Sequence, residues 1–106
     1  DIIEIAKDQI RKTYMSDEIS LNTIAAEVGM SPSYFSSIFS KEMGKTFVEY
    51  LTEIRMDRAK ELLMCSSMKT SEIGYEVGYK DPHYFSYIFK KTQNCTPKEF
   101  RARGKE

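Results

Sequence analysis

The 106-residue sequence predicts an all-α fold: two small helical subdomains joined by one long central linker helix, about seven helices in total. Three observations predict it. The stretch "GMSPSYFSSIFSK" at 29–41 returns almost unchanged as "GYKDPHYFSYIFKK" at 78–91, so one short element is built twice. Between the copies, "TFVEYLTEIRMDRAKELLMC" carries its apolar residues at helical spacing. No stretch reads convincingly as a strand.

The elements follow in order. An opening helix places Ile3, Ala6, Ile10 and Tyr14 on one face. It starts without Met and, by this pattern, mid-helix, as expected of the C-terminal fragment of a longer protein. A short helix over about Leu21–Val28 stops at Gly29, which tolerates the left-handed cap. Ser31 then supplies an N-cap oxygen and Pro32 the first helical position of a second helix, to about Met43. Thr46 and Glu49 form a capping box for the linker helix, whose expected buried stripe is Phe47, Tyr50, Leu51, Ile54, Leu62 and Leu63. The second copy repeats the first: a helix over about Thr70–Val77, Gly78, Asp81-Pro82, and a helix to about Gln93. Thr96, Pro97 and Glu99 open a short last helix carrying Phe100. The expected division is 1–45, a linker helix 46–66, and 67–106.

Two helices joined by a short Gly-containing turn form a helix-turn-helix, and the pattern occurs twice here. With Ile24 set on Ile73 and one residue slipped between Met30 and Pro32, identities run through Glu27/Glu76, Tyr34/Tyr84, Phe35/Phe85, Phe39/Phe89 and Lys41/Lys91. A solenoid needs at least three copies to cover its core, so two mean a pseudo-duplicated domain.

At about 100° per residue, Phe35, Ile38 and Phe39 share one arc of the second helix, while Ser33, Ser36, Ser37 and Ser40 share the opposite one. The second copy places Phe85, Ile88 and Phe89 inward, and His83, Ser86, Tyr87 and Lys90 outward. Lys41 and Lys91 flank the outer arcs, and Ser31 stands at the entrance to the first. Outer strips are ordinarily just solvated. Stability alone, however, would not choose four serines, which are poor helix formers, for one arc. Small side chains admit close approach of another surface, and an outward Tyr beside His and Lys suits phosphates, sugars and base edges. A linker of about nineteen residues spans roughly 28 Å, near the ~34 Å of one duplex turn. The partner this suggests is double-stranded DNA, held by two reading helices in successive major-groove segments.

Composition sets the limits. At 41% hydrophobic and 30% charged the chain reads as soluble, with no apolar run that would span a membrane. Its net charge is zero, but unevenly spread: residues 1–66 hold eight Lys/Arg against eleven Asp/Glu, and 67–106 eight against five, ending in the cation-rich "KEFRARGK". Cys65 and Cys95 are too few for a zinc site and read as reduced thiols. No metal, cofactor or catalytic constellation is expected: His83 has no nucleophile partner, and no glycine-rich phosphate loop exists. RNA is disfavoured for want of a stacking sheet. A helical protein–protein interaction module is the rival reading.

The stretches "EVGYKDPHYFSYIFKKTQNCTPKEFR" and "YLTEIRMDRAKELL" resemble the AraC/XylS family of bacterial transcription regulators, over about residues 3–103. Gly78, Tyr79, Asp81, Tyr84, Phe85, Phe89, Lys90, Lys91, Thr96, Pro97, Phe100 and Arg101 stand where the family signature has them. The texture is most similar to the output domains of YesN-type two-component response regulators. The alternative within the family is the DNA-binding domain of a small-molecule-sensing regulator. The resemblance implies a cytoplasmic DNA-binding domain reading bases through Ser33, Ser36, Ser37 and Ser40, then His83, Ser86, Tyr87 and Lys90, with Ser31, Lys41 and Lys91 beside them. With zero net charge, one domain should bind weakly and work with a second copy of the full-length protein on adjacent half-sites; RNA polymerase is a further expected partner. Gly74 departs from the family's Ala, at an expected cost of up to about 1 kcal/mol in helix propensity.

Overall fold

Short polar caps set most of the helix starts in the computed structural model, which describes residues 1–104. It contains seven helices and, among the described residues, no strand. Lys105 of the cation-rich tail and Glu106 lie outside the described residues. The chain divides into two compact units, Asp1–Ile54 and Arg55–Glu106, each with its own core. No helix is long and apolar enough to cross a membrane among these residues.

In the first unit, the Asp1 carboxylate accepts the Ile3 N–H at 3.0 Å at the start of α1 (Ile2–Thr13). Helix α2 (Leu21–Glu27) starts with a reciprocal box between Ser20 and Thr23. Gly29, at φ 72°, turns the chain left-handed, so that the Met30 N–H reaches the Ala25 carbonyl at 2.9 Å. Ser31 and Pro32 then open α3 (Pro32–Met43). Phe35 and Phe39 are fully buried from this helix, with ring centroids 5.6 Å apart. Phe47 and Tyr50, from the start of α4 (Phe47–Cys65), meet Phe39 edge-on at 6.1 and 5.6 Å.

The second unit takes over α4 from Arg55 and adds α5 (Thr70–Glu76), α6 (Pro82–Gln93) and α7 (Pro97–Arg103). Its core joins Met56, Ala59 and Leu63 to Ile73, Val77, Phe85, Phe89 and Cys95. The linker stripe expected from sequence is therefore half the story. Phe47, Tyr50, Leu51 and Leu63 are buried, Ile54 and Leu62 only partly, and Met56 and Ala59 lie deeper than either. The buried positions form two short sets because each end of α4 serves a different core. Arg101 donates from Nε to the Leu63 carbonyl at 2.9 Å and from its terminal nitrogen to that of Ser66 at 3.3 Å. Those carbonyls at the end of α4 would otherwise lack helical donors.

The two glutamates of the Thr-x-x-Glu boxes act alike. Glu49 accepts the Thr46 N–H and Glu99 the Thr96 N–H, each at 2.8 Å, while each Thr hydroxyl accepts the glutamate's own N–H. Those backbone hydrogen bonds, helped by the hydroxyls, hold both carboxyls below their ordinary pKa. Asn94 closes α6 at φ 63°, where Gly44 closes α3 at φ 71°; Asn is the side chain that adopts this conformation most cheaply.

Gly74 has a packing reason. A Cβ built there falls 3.0–3.1 Å from the Phe85 ring and its Cβ, whereas the same repeat position in the first unit holds Ala25, fully buried. Phe85 is itself fully buried and has little room to retreat. Gly74→Ala is therefore expected to lower the thermal midpoint despite alanine's better helix propensity, by overpacking worth about 1–3 kcal/mol. A raised midpoint would show that propensity wins.

Candidate nucleic-acid interface

Each unit builds its candidate surface on the second helix of its pair, α3 or α6. The phenylalanines on the inner arc fix which side is left for solvent. In α3, Ser33, Tyr34, Ser37 and Lys41 are exposed, while Ser36 and Ser40 are half-buried at the edge. In α6, His83, Tyr84, Tyr87, Lys90 and Lys91 are exposed, and Ser86 is the half-buried member. Ser31 is exposed as well, and its Oγ accepts the Tyr34 N–H at 3.3 Å, leaving its hydroxyl proton and one lone pair for a partner. Asp81 plays the same part in α6, accepting the His83 N–H at 2.9 Å.

The exposed arc is thus centred nearer Ser37 and Tyr87 than the helical wheel alone placed it. Two residues outside the expected list fall on it: Tyr34, 58% exposed, and Tyr84, 51% exposed. Their outward position was legible as an amphipathic offset, since each precedes a buried Phe by one residue. Reading them only as repeat identities hid it.

Charge separates the two surfaces. Residues 1–54 carry five Lys/Arg against nine Asp/Glu, and 55–106 eleven against seven. Five cations away from these helices pair with carboxylates: Lys7 with Glu4, Arg11 with Asp8, Lys45 with Glu53, Arg58 with Glu61 and Lys60 with Asp57. Among the described residues, Lys41, Lys90 and Lys91 enter no ion pair. Lys12, Lys69, Lys80 and Lys98 enter none either, so what sets these three lysines apart is their exposed place on α3 and α6.

In the second unit, aromatic rings run from core to surface. The Arg55 guanidinium, only 8% exposed, lies 4.9 Å from the Tyr79 ring centroid. Tyr79 is 5.8 Å from both Phe85 and Tyr84, and Tyr84 is 6.2 Å from Tyr87. Arg55 is the buried charged side chain of this unit among the described residues. The two cysteines are free thiols, Cys65 exposed and Cys95 buried.

Comparison with known proteins adds four findings. A helix-turn-helix domain family matches residues 24–103. The C-terminal domain of AraT, a response regulator from Geobacillus stearothermophilus, shares the fold with a TM-score of 0.94 at 35% identity, over 96% of this chain and 84% of that one. Among curated relatives, the transcriptional regulatory protein YesN of Bacillus subtilis is 40% identical over 76 residues, 70% of this chain and 21% of YesN. An HTH-type transcriptional regulator in the cgkA 5′ region of Pseudoalteromonas carrageenovora is 36% identical over 100 residues, 94% of this chain and 58% of its own. The chain spans less than two thirds of the length of either curated relative.

Proposed function

The chain belongs to the AraC/XylS family of helix-turn-helix DNA-binding transcription regulators, and on that premise we propose that α3 and α6 enter successive major-groove segments of one duplex. The observation that carries the reading is the exposed ridge of each second helix, with Lys41, Lys90 and Lys91 bound to no carboxylate among the described residues. An anionic lattice is the natural counterpart of such ridges. The nineteen residues of α4 span roughly 28 Å, close to the ~34 Å between groove segments on one duplex face.

The two ridges divide the work. The strip of Ser33, Ser36, Ser37 and Ser40 on α3 holds no Arg, Lys, Asn or Gln for a bidentate base contact, so it reads by close approach, thymine methyls, water and groove shape. The α6 ridge, with His83, Tyr87, Lys90 and Lys91, provides most of the charge and the base-edge chemistry. The likeness to AraT and YesN supports a further step: the domain serves as the output end of a phosphorylation-controlled response regulator. In that role two full-length copies on adjacent half-sites compensate for the modest affinity of one neutral domain.

Ionic strength tests the reading. Fluorescence anisotropy on a duplex selected from a random library should show affinity falling steeply with salt, with a log–log slope near 0.9 per neutralised phosphate. A slope near zero would favour a protein-docking surface instead.

A further inference from the structure

The internal duplication sets up a comparison within one chain. Lys41 and Lys91 occupy the same place in the two second helices, but Tyr87 stands four residues before Lys91 where Ser37 stands before Lys41. The Lys91 ammonium lies 5.9 Å from the centroid of the Tyr87 ring, while Lys41 has no such ring contact among the described residues. The Tyr87 ring has aromatic neighbours. It adjoins Tyr84 at 6.2 Å, which adjoins Tyr79 at 5.8 Å, which lies beneath the buried Arg55.

We propose that Tyr87 is a positioning residue, whose ring seats the Lys91 ammonium beside the α6 reading surface for one backbone phosphate of duplex DNA. Lys41 is the unseated counterpart. A lysine has a flexible four-carbon stem and loses rotamer freedom when it docks on a phosphate. One already drawn to an aromatic face has less to lose. The ring occupies one side of the ammonium by cation–π attraction and leaves N–H donors on the other for phosphate oxygens. Tyr87 is 58% exposed, so the seat stands at the surface where a phosphate can reach it.

The inference rests on the DNA-binding reading, and the experiment separates the two. In the free protein, the Lys91 ε-methylene protons should shift upfield by ring current, keep that shift in Tyr87→Phe, and lose it in Tyr87→Leu. Lys41 should show no such shift. Duplex affinity is then measured for Tyr87→Leu, Lys91→Met and the double variant. Lys91→Met should flatten the salt dependence, so that its deficit against the parent shrinks about threefold between 50 and 200 mM salt. Its loss should be about two- to fivefold smaller in the Tyr87→Leu background than in the parent, while Lys41→Met and Ser37→Ala add independently. Additive losses for Tyr87 and Lys91, or no ring-current shift, overturn the seat while leaving DNA binding intact. A parent protein with no salt-dependent duplex binding overturns the functional reading, and this inference with it.

Discussion

Phe85→Ala is expected to remove about 3–5 kcal/mol of stability, the usual cost of truncating a fully buried Phe. Phe85 is 0% exposed and contacts three neighbours at once. Its ring lies 6.0 Å from Phe89 and 5.8 Å from Tyr79, and its side chain packs closely on α5, 3.0–3.1 Å from where a Cβ on Gly74 would stand. For a unit of about fifty residues, whose whole stability is only a few kcal/mol, that loss is most of what holds it. Amide exchange should show protection lost across α5, α6 and α7. DNA binding should fall with it, because the α6 ridge depends on the phenylalanines that anchor the opposite face of that helix. A denaturation midpoint within about 1 kcal/mol of the parent would contradict this description of the second core.

The second large effect is on recognition. Tyr87→Ala and Lys90→Ala should each weaken duplex binding about tenfold or more, within the roughly 1–3 kcal/mol of a good base or charged contact. Ser33→Ala and Ser37→Ala should change it by less than about threefold, since each removes a single neutral hydroxyl from an exposed position. His83→Ala should fall with the α6 group. All five are surface changes, expected to leave stability within about 0.5 kcal/mol, so thermal melts guard against an unfolding artefact. Equal losses on the two ridges would refute the division of labour between α3 and α6.

The fold was largely legible because its signals are local. Each Gly-to-Pro turn, each capping box and each buried Phe pair lies within a few residues of the boundary it sets, and the helices fall where those signals place them. Two classes of feature were not legible. Arg101 is separated by 38 and 35 residues from the carbonyls it caps, and no local pattern connects them. Met56 and Ala59 are core residues of a helix whose two ends serve different cores, a division that periodicity taken over the whole helix blurs. The candidate ridge was legible in outline from the inward Phe35/Phe39 and Phe85/Phe89. Its centre was not, because Ser36, Ser40 and Ser86 lie on the outer arc of the helical wheel and yet are half-buried. The seat of Lys91 on Tyr87 is a side-chain geometry, although the i, i+4 spacing that permits it was in view.

The central claim, that two second helices read one duplex at two places, is tested most directly by a chemical footprint of this domain on a selected duplex. Methylation and hydroxyl-radical protection should mark two major-groove segments, about 10 base pairs apart and on the same face of the helix. Within that footprint, Lys90→Ala should weaken protection of one segment more than of the other. A single protected segment, or two lying on opposite faces of the duplex, would contradict the account.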